Sequence, residues 1–322
     1  MMKRILWILC LCCLLPALPG CGQTAETEEN QTGLGIVTTV FPAYDFARQI
    51  AGERAQVTLL LPPGAESHSF EPTARDILRI QNGDLFFYTG GESEEWAEEL
   101  LEGQESVNAL AMLDCVDALE EECKEGMQDI HEEEDGDEGE EYDEHVWTSP
   151  VNAQRICRRL CEELCRLDPA GEDLYLENTE SYCEKLAALD ADFRRVVEAA
   201  PLRTVIFADR FPVRYFVEEY GLDYYAAFPG CAEDTEPSAR TVAFLIDKVQ
   251  REQIPAVFTI EFSNGKMADV ICEDTGCEKL LFHSCHTVSA DDLKRGVTYL
   301  ELMAQNVDSL KEALGGNGNS DM

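Results

Sequence analysis

Only five histidines occur in the 322 residues of this chain, and four of them stand where their side chains could converge on one cleft. His68 follows the apolar run "QVTLLL" through the turn "PPGAES", and His145 lies between a strongly acidic run and a helix start at Pro150. His283 closes the run "KLLF", with His286 close behind it. A residue just past the C-terminal end of a parallel strand faces the crevice in which α/β proteins hold ligands. Asp209, after "RTVIFA", and Glu261, after "AVFTI", end runs of the same kind. Any one of these histidines alone reads as a structural residue, but their joint placement points to a metal site, because neutral imidazole is a preferred ligand of late transition metals.

A metal hydrolase would need an open coordination position and a nearby base, a part that Glu261 or Glu66 could play. The chain has no HExxH, GxSxG, P-loop or glycine-rich dinucleotide motif, so binding rather than catalysis is expected. The formal charge of -39 excludes nucleic acid as a partner, since polyanion binding needs clustered Lys and Arg. Residues 117–144 include sixteen Asp or Glu and one Lys. Such a run repels itself and cannot bury a core, which predicts a solvated loop whose carboxylates, with His131, could gather cations near His145 without closing a site.

Positioning these groups requires strands that end together. From Gly35, short β-branched or aromatic runs alternate with helical periodicity: "GIVTTV", "QVTLLL" and "DLFFYTG" are each followed by an amphipathic stretch. A second series starts at Arg203 with "RTVIFA", "LDYYAAF", "PAVFTIE" and "EKLLFH", and closes with a helix from about Asp291 to Leu314. The fold class expected is α/β, with two lobes that each carry a mainly parallel sheet flanked by helices. The first lobe covers 35–171 and the second 201–314. Between them 172–200, free of Pro and Gly, reads as one long rigid helix that limits hinge motion.

Residues 1–21 read as an export signal: Lys3 and Arg4, an apolar run from Ile5 to about Ala17, then "LPGC", which resembles the lipobox that directs lipid onto a cysteine, here Cys21. Residues 22–34 suit a tether and 315–322 a polar tail. Of fourteen cysteines, ten fall in the folded part, and export makes disulfides possible there. Cys157, Cys161 and Cys165 share one helix face and read as small core residues.

The segments "PPGAESHSFEPTARD" and "YDEHVWTSPVNA" resemble the histidine segments of the metal-binding lipoproteins of bacterial ABC importers for zinc and manganese, the cluster A-I or zinc-uptake substrate-binding proteins. The resemblance runs from Gly35 to Leu314 and includes the acidic insert before His145 and the lobe-joining helix. It implies that His68 and His145 are ligands of a captured ion. The family's third ligand aligns with Ala208, so Asp209 is a possible replacement; the fourth falls near "FHSCH", where His283 or His286 could substitute. Glu261 could be a ligand or an acceptor that fixes a histidine tautomer. Three imidazoles and an oxygen favour Zn²⁺, with Mn²⁺ possible. The implied protein is extracytoplasmic, monomeric, anchored to the membrane through Cys21, and partnered with an ABC permease. A manganese-specific binder, a metal-dependent hydrolase and a surface adhesin are the alternatives.

Overall fold

The computed structural model describes residues 33–316 except 67, 105, 128–140, 231 and 233–237. The leader with Cys21, the tether to residue 32, His131, Cys231 and the tail from 317 lie outside the described residues. In the first lobe β1 (Leu34–Thr38), β2 (Ala55–Leu59), β3 (Leu85–Tyr88) and β4 (Ala109–Ala111) form a parallel sheet in the order β2-β1-β3-β4. Its helices are α1 (Phe41–Ala51), α2 (Ala74–Asn82) and α3 (Glu95–Glu102). The run "LFFY" of β3 is buried at every position, as expected of an inner parallel strand covered on both faces.

The second lobe repeats the plan with β5 (Thr204–Arg210), β6 (Asp223–Phe228), β7 (Ala256–Thr259) and β8 (Glu278–Leu281), parallel in the order β6-β5-β7-β8. Its helices run from α6 to α10: α6 (Arg214–Tyr220), α7 (Ala239–Glu252), α8 (Lys266–Thr275), α9 (Ala290–Arg295) and α10 (Tyr299–Ala313). The closing helix expected as one piece is therefore two. Gly296 ends α9 at φ 72°, and Thr298 starts α10 with a capping box to Glu301.

Between the lobes lie α4 (Pro150–Leu167) and the 28-residue α5 (Glu172–Ala199), about 42 Å long at helical rise. Buried Tyr175, Thr179, Tyr182, Leu186, Leu189, Phe193 and Val197 recur every three or four residues along α5, giving it one continuous apolar stripe. It packs on α1 of the first lobe and α10 of the second. Their cores merge: one cluster runs from Ile36, Phe46 and Trp147 through Phe193 to Phe207 and Phe258. Asp45, fully buried in α1, accepts from the Tyr299 amide at 2.9 Å and so caps α10 across the lobes. Burial pushes its carboxyl up, while that amide works the other way. A shared core and cross-lobe caps hold the halves in one arrangement.

The described ends of the acidic run, 117–127 and 141–144, are docked in part, and 128–140 lie outside the described residues. Met127, Asp143 and Glu144 are buried, and Glu120 bridges Tyr142 so that the two limbs meet in a neck. The neck rests on the second lobe. Leu119 N donates to Tyr215 Oη (3.0 Å), Tyr215 Oη donates to the Asp143 carbonyl (2.8 Å), and Lys124 pairs with Asp223 at 2.9 Å. Net charge describes the run as a whole, but single apolar residues such as Leu119 and Met127 decide where it docks.

Candidate metal centre

His68 lies in the loop after β2. Leu60 N and Leu61 N extend the ladder to Thr38 and Thr39, and Gly64 N then donates to Thr287 Oγ1 of the second lobe at 3.0 Å. His145 precedes a single 3₁₀ turn, Val146–Thr148, and α4 begins with Pro150 at its first position and Ser149 Oγ accepting from Asn152 N. His286 lies between β8 and α9 on a loop held by first-lobe groups: Trp147 Nε1 donates to the Ser284 carbonyl (2.8 Å) and Phe41 N to the His286 carbonyl (3.1 Å). Between these two bonds Cys285 sits at φ 64°, a conformation rare for a residue with a Cβ. Bonds on either side impose it and thereby fix the direction in which His286 leaves the chain.

Three imidazoles result, with one ligand nitrogen from each of His68, His145 and His286 all within 4.8 Å of one another. Ring centroids are 4.5 Å apart for His145 and His286, 5.2 Å for His68 and His286, and 5.4 Å for His68 and His145. Both nitrogens of His68 and Nε2 of His145 are buried without a hydrogen-bond partner. Buried polar atoms lacking partners are costly, and a cation among them removes that cost. Nitrogens bound at zinc distances in a tetrahedron stand about 3.4 Å apart, so a small inward shift suffices.

Two of the rings, those of His145 and His286, are oriented from behind. Asp143 Oδ1 lies 3.0 Å from His145 Nδ1 and accepts the His145 amide at 2.8 Å, which leaves Nε2 for the centre. Ser284 Oγ lies 3.2 Å from His286 Nδ1 and donates to Glu261 Oε1 at 2.7 Å. Glu144 Oε2 is 3.8 Å from His68 Nδ1, beyond hydrogen-bond reach, and Oε1 of the same carboxylate accepts from the Ser93 amide at 2.7 Å. Gly91, at φ 92°, makes room for it: a Cβ there would lie 2.7 Å from Glu144.

Charge is divided unevenly among the rings. Burial, then His145, then Arg210 hold His68 down to about 3, and burial and the same neighbours hold His286 well below 6.5. His145 goes the other way: burial opposes its charge, but Asp143 and then Glu144 outweigh burial and raise it. Of the three rings, His145 is the one whose surroundings favour the charged form.

The other residues marked by the sequence fall outside this group, which no further His, Cys, Asp or Glu joins among the described residues. Glu261 accepts from Ser284 N and Oγ, both at 2.7 Å, and so stands behind His286 as an acceptor. His283 is clamped by its backbone to Asn306, at 2.7 and 2.8 Å. Asp209 does not lie past β5 but within it, and its carboxylate accepts from the amides of Arg210 (2.9 Å) and Ile260 (3.4 Å). Ala208 is buried in the second-lobe core. Arg210 pairs with Glu66 across the lobes at 2.8 Å, beside a cavity of about 180 Å³ that His286 also lines. Asp143 and Ser284 escape the sequence reading. One is hidden among sixteen carboxylates, and the other carries no signal except its place in "FHSCH".

The family model described as zinc-uptake complex component A, periplasmic, matches residues 36–313. The chain is 31% identical over 315 residues to the high-affinity zinc uptake system protein ZnuA of Bacillus subtilis, covering 96% of this chain and 97% of that one. It is 27% identical over 317 residues to the manganese-binding lipoprotein MntA of Halalkalibacterium halodurans, covering 97% and 99%. The crystal structure of the Zn(II)-bound ZnuA-like domain of Streptococcus pneumoniae AdcA superimposes with a TM-score of 0.73 at 27% identity, covering 88% of this chain and 99% of that one. With its paired parallel sheets, its long helix and its imidazole cluster, the chain belongs to the family of zinc-uptake complex component A periplasmic proteins.

Proposed function

We propose that this chain is the extracytoplasmic substrate-binding protein of a metal importer, that it captures Zn²⁺ with His68, His145 and His286 as ligands, and that it passes the ion to an ABC permease. The observation that carries this reading is the convergence of three imidazoles, with both nitrogens of His68 and Nε2 of His145 left unpartnered. Three neutral nitrogens leave a fourth tetrahedral position for water or another small oxygen ligand. The absence of a carboxylate from the group, among the described residues, favours zinc over manganese. His283, Asp209 and Glu261 are supporting residues in this reading. Lipid on Cys21 would hold the protein at the membrane as a monomer beside its permease, and no helix among the described residues is long and apolar enough to cross a membrane.

The test is competition between the demetallated protein and a chromophoric chelator. One tight zinc per chain is expected, lost in His68→Ala, His145→Ala and His286→Ala and kept in His283→Ala. No tight site, or loss in His283→Ala with retention in His286→Ala, refutes the assignment. Tighter manganese than zinc binding in the parent refutes the choice of ion.

A further inference from the structure

Well away from the imidazoles, two thiols meet at the end of α8. Cys272 Sγ and Cys277 Sγ are 3.3 Å apart, and both side chains pack against the second-lobe core. Between them the helix stops in a glycine turn: Gly276 takes φ 78°, and its amide donates to the Cys272 carbonyl at 2.8 Å. In such a C-cap the residue after the glycine folds back onto the last helical turn, and the pair in contact is ordinarily apolar. Here both partners are cysteines. A Cβ at Gly276 would meet only open space, so no neighbouring side chain covers the glycine.

We propose that Cys272 and Cys277 are a redox modification site, oxidised by small organic disulfides to an intramolecular disulfide that staples the C-terminus of α8 to the start of β8. Both cysteines are partly exposed, so an oxidant can reach them. The glycine cap already holds the sulfurs near contact, and the bond needs only a short closure. The Cys277 thiolate attacks one sulfur of the reagent, forming a mixed disulfide and expelling a thiolate. The Cys272 thiolate then attacks Cys277 Sγ, forms the internal bond and expels the second thiolate. Two electrons pass from the cysteines to the reagent, and the two thiol protons end on the released thiols. Burial, then the hydrogen bond and charge of Cys277, push the Cys272 thiol up to about 12.

The staple would matter through what β8 carries. Cys277 immediately precedes β8, whose far end leads into the loop of His286, and α8 lines a cleft of about 550 Å³ together with Glu66 and Arg210. Exposure to such oxidants in the cell rests on the export proposed above, whereas the chemistry does not.

The experiment equilibrates the full mature protein with oxidised glutathione, quenches it with acid, alkylates it in denaturant and maps the peptides by mass. The expected product is one peptide carrying Cys272 and Cys277, unalkylated and lighter by two hydrogens. It should be accompanied by a rise of about 4 °C in unfolding temperature over the reduced protein, from closing a short loop in the unfolded chain. The double variant Cys272→Ser/Cys277→Ser should show no such rise. Alkylation of both cysteines, or recovery of each only as a glutathione adduct, overturns the proposal. A bridged peptide with no change in unfolding temperature overturns the stapling role.

Discussion

Replacing Asp143 by Asn tests how the centre handles protons. The change removes a charge 3.0 Å from His145 Nδ1, while the amide oxygen can still accept the His145 backbone N–H. At the effective dielectric suited to buried pairs, that charge is worth about 5 kcal/mol to an imidazolium at this distance. Without it burial prevails and His145 loses its proton well below its present value. In the parent, zinc must displace that proton, so affinity falls about tenfold per pH unit once pH drops below the raised pKa of His145, while His68 and His286 are already neutral. In Asp143→Asn this slope should vanish near neutrality. At high pH the variant should bind about 10- to 100-fold more weakly, or about 1.4–2.7 kcal/mol, for want of the carboxylate behind the ring. The metal-free fold gives a second readout. The ion pair of a histidine whose folded pKa is raised stabilises fully below 6.5 and is lost as pH rises through the folded value, so the stability difference between parent and variant should shrink with rising pH. The assay is chelator competition in steps from about pH 8 to about pH 5.5. Equal slopes in parent and variant, or equal affinities at high pH, refute the reasoning.

Ser284→Ala should weaken zinc binding about tenfold or more by cutting Glu261 off from His286 Nδ1, with denaturation unchanged within about 1 kcal/mol; affinity equal to the parent by competition titration counts against the relay. Gly91→Ala places a Cβ against Glu144 at φ 92° and should cost about 1–3 kcal/mol in urea denaturation as well as reducing zinc affinity. Excising residues 128–140 should leave tight zinc binding intact and slow capture at low salt, seen by stopped-flow mixing, since the loop's carboxylates raise local cation concentration without closing a site. A deletion starting at 118 should do more damage, because it takes Leu119, which rests on Tyr215.

Much of the fold was legible because alternation of buried strands and amphipathic helices leaves a periodic trace. The run "LFFY" and the glycine-free stretch of α5 are examples. β4 leaves almost none, being only three residues long. His68 and His145 could be read from their neighbours, but the choice between His283 and His286 could not. Strand periodicity ends with β8, and the decision rests on a positive φ at Cys285 and on bonds from Trp147 and Phe41, residues distant in sequence. Glu261 was readable as a group near the cleft, yet its place behind Ser284 depends on the same loop.

The stitching of the two lobes sets an order of events during maturation. Gly64 meets Thr287 from 223 positions away, and Asp45 caps Tyr299 across 254. Contacts this distant in sequence form late, after the local turns and helices of each half. A chain still emerging offers at most two imidazoles of the cluster, His68 and His145, and two make an incomplete zinc site. Only when the loop after the last strand docks against α1 and Trp147 does the third imidazole arrive, so a chain that has not finished folding has little hold on the ion.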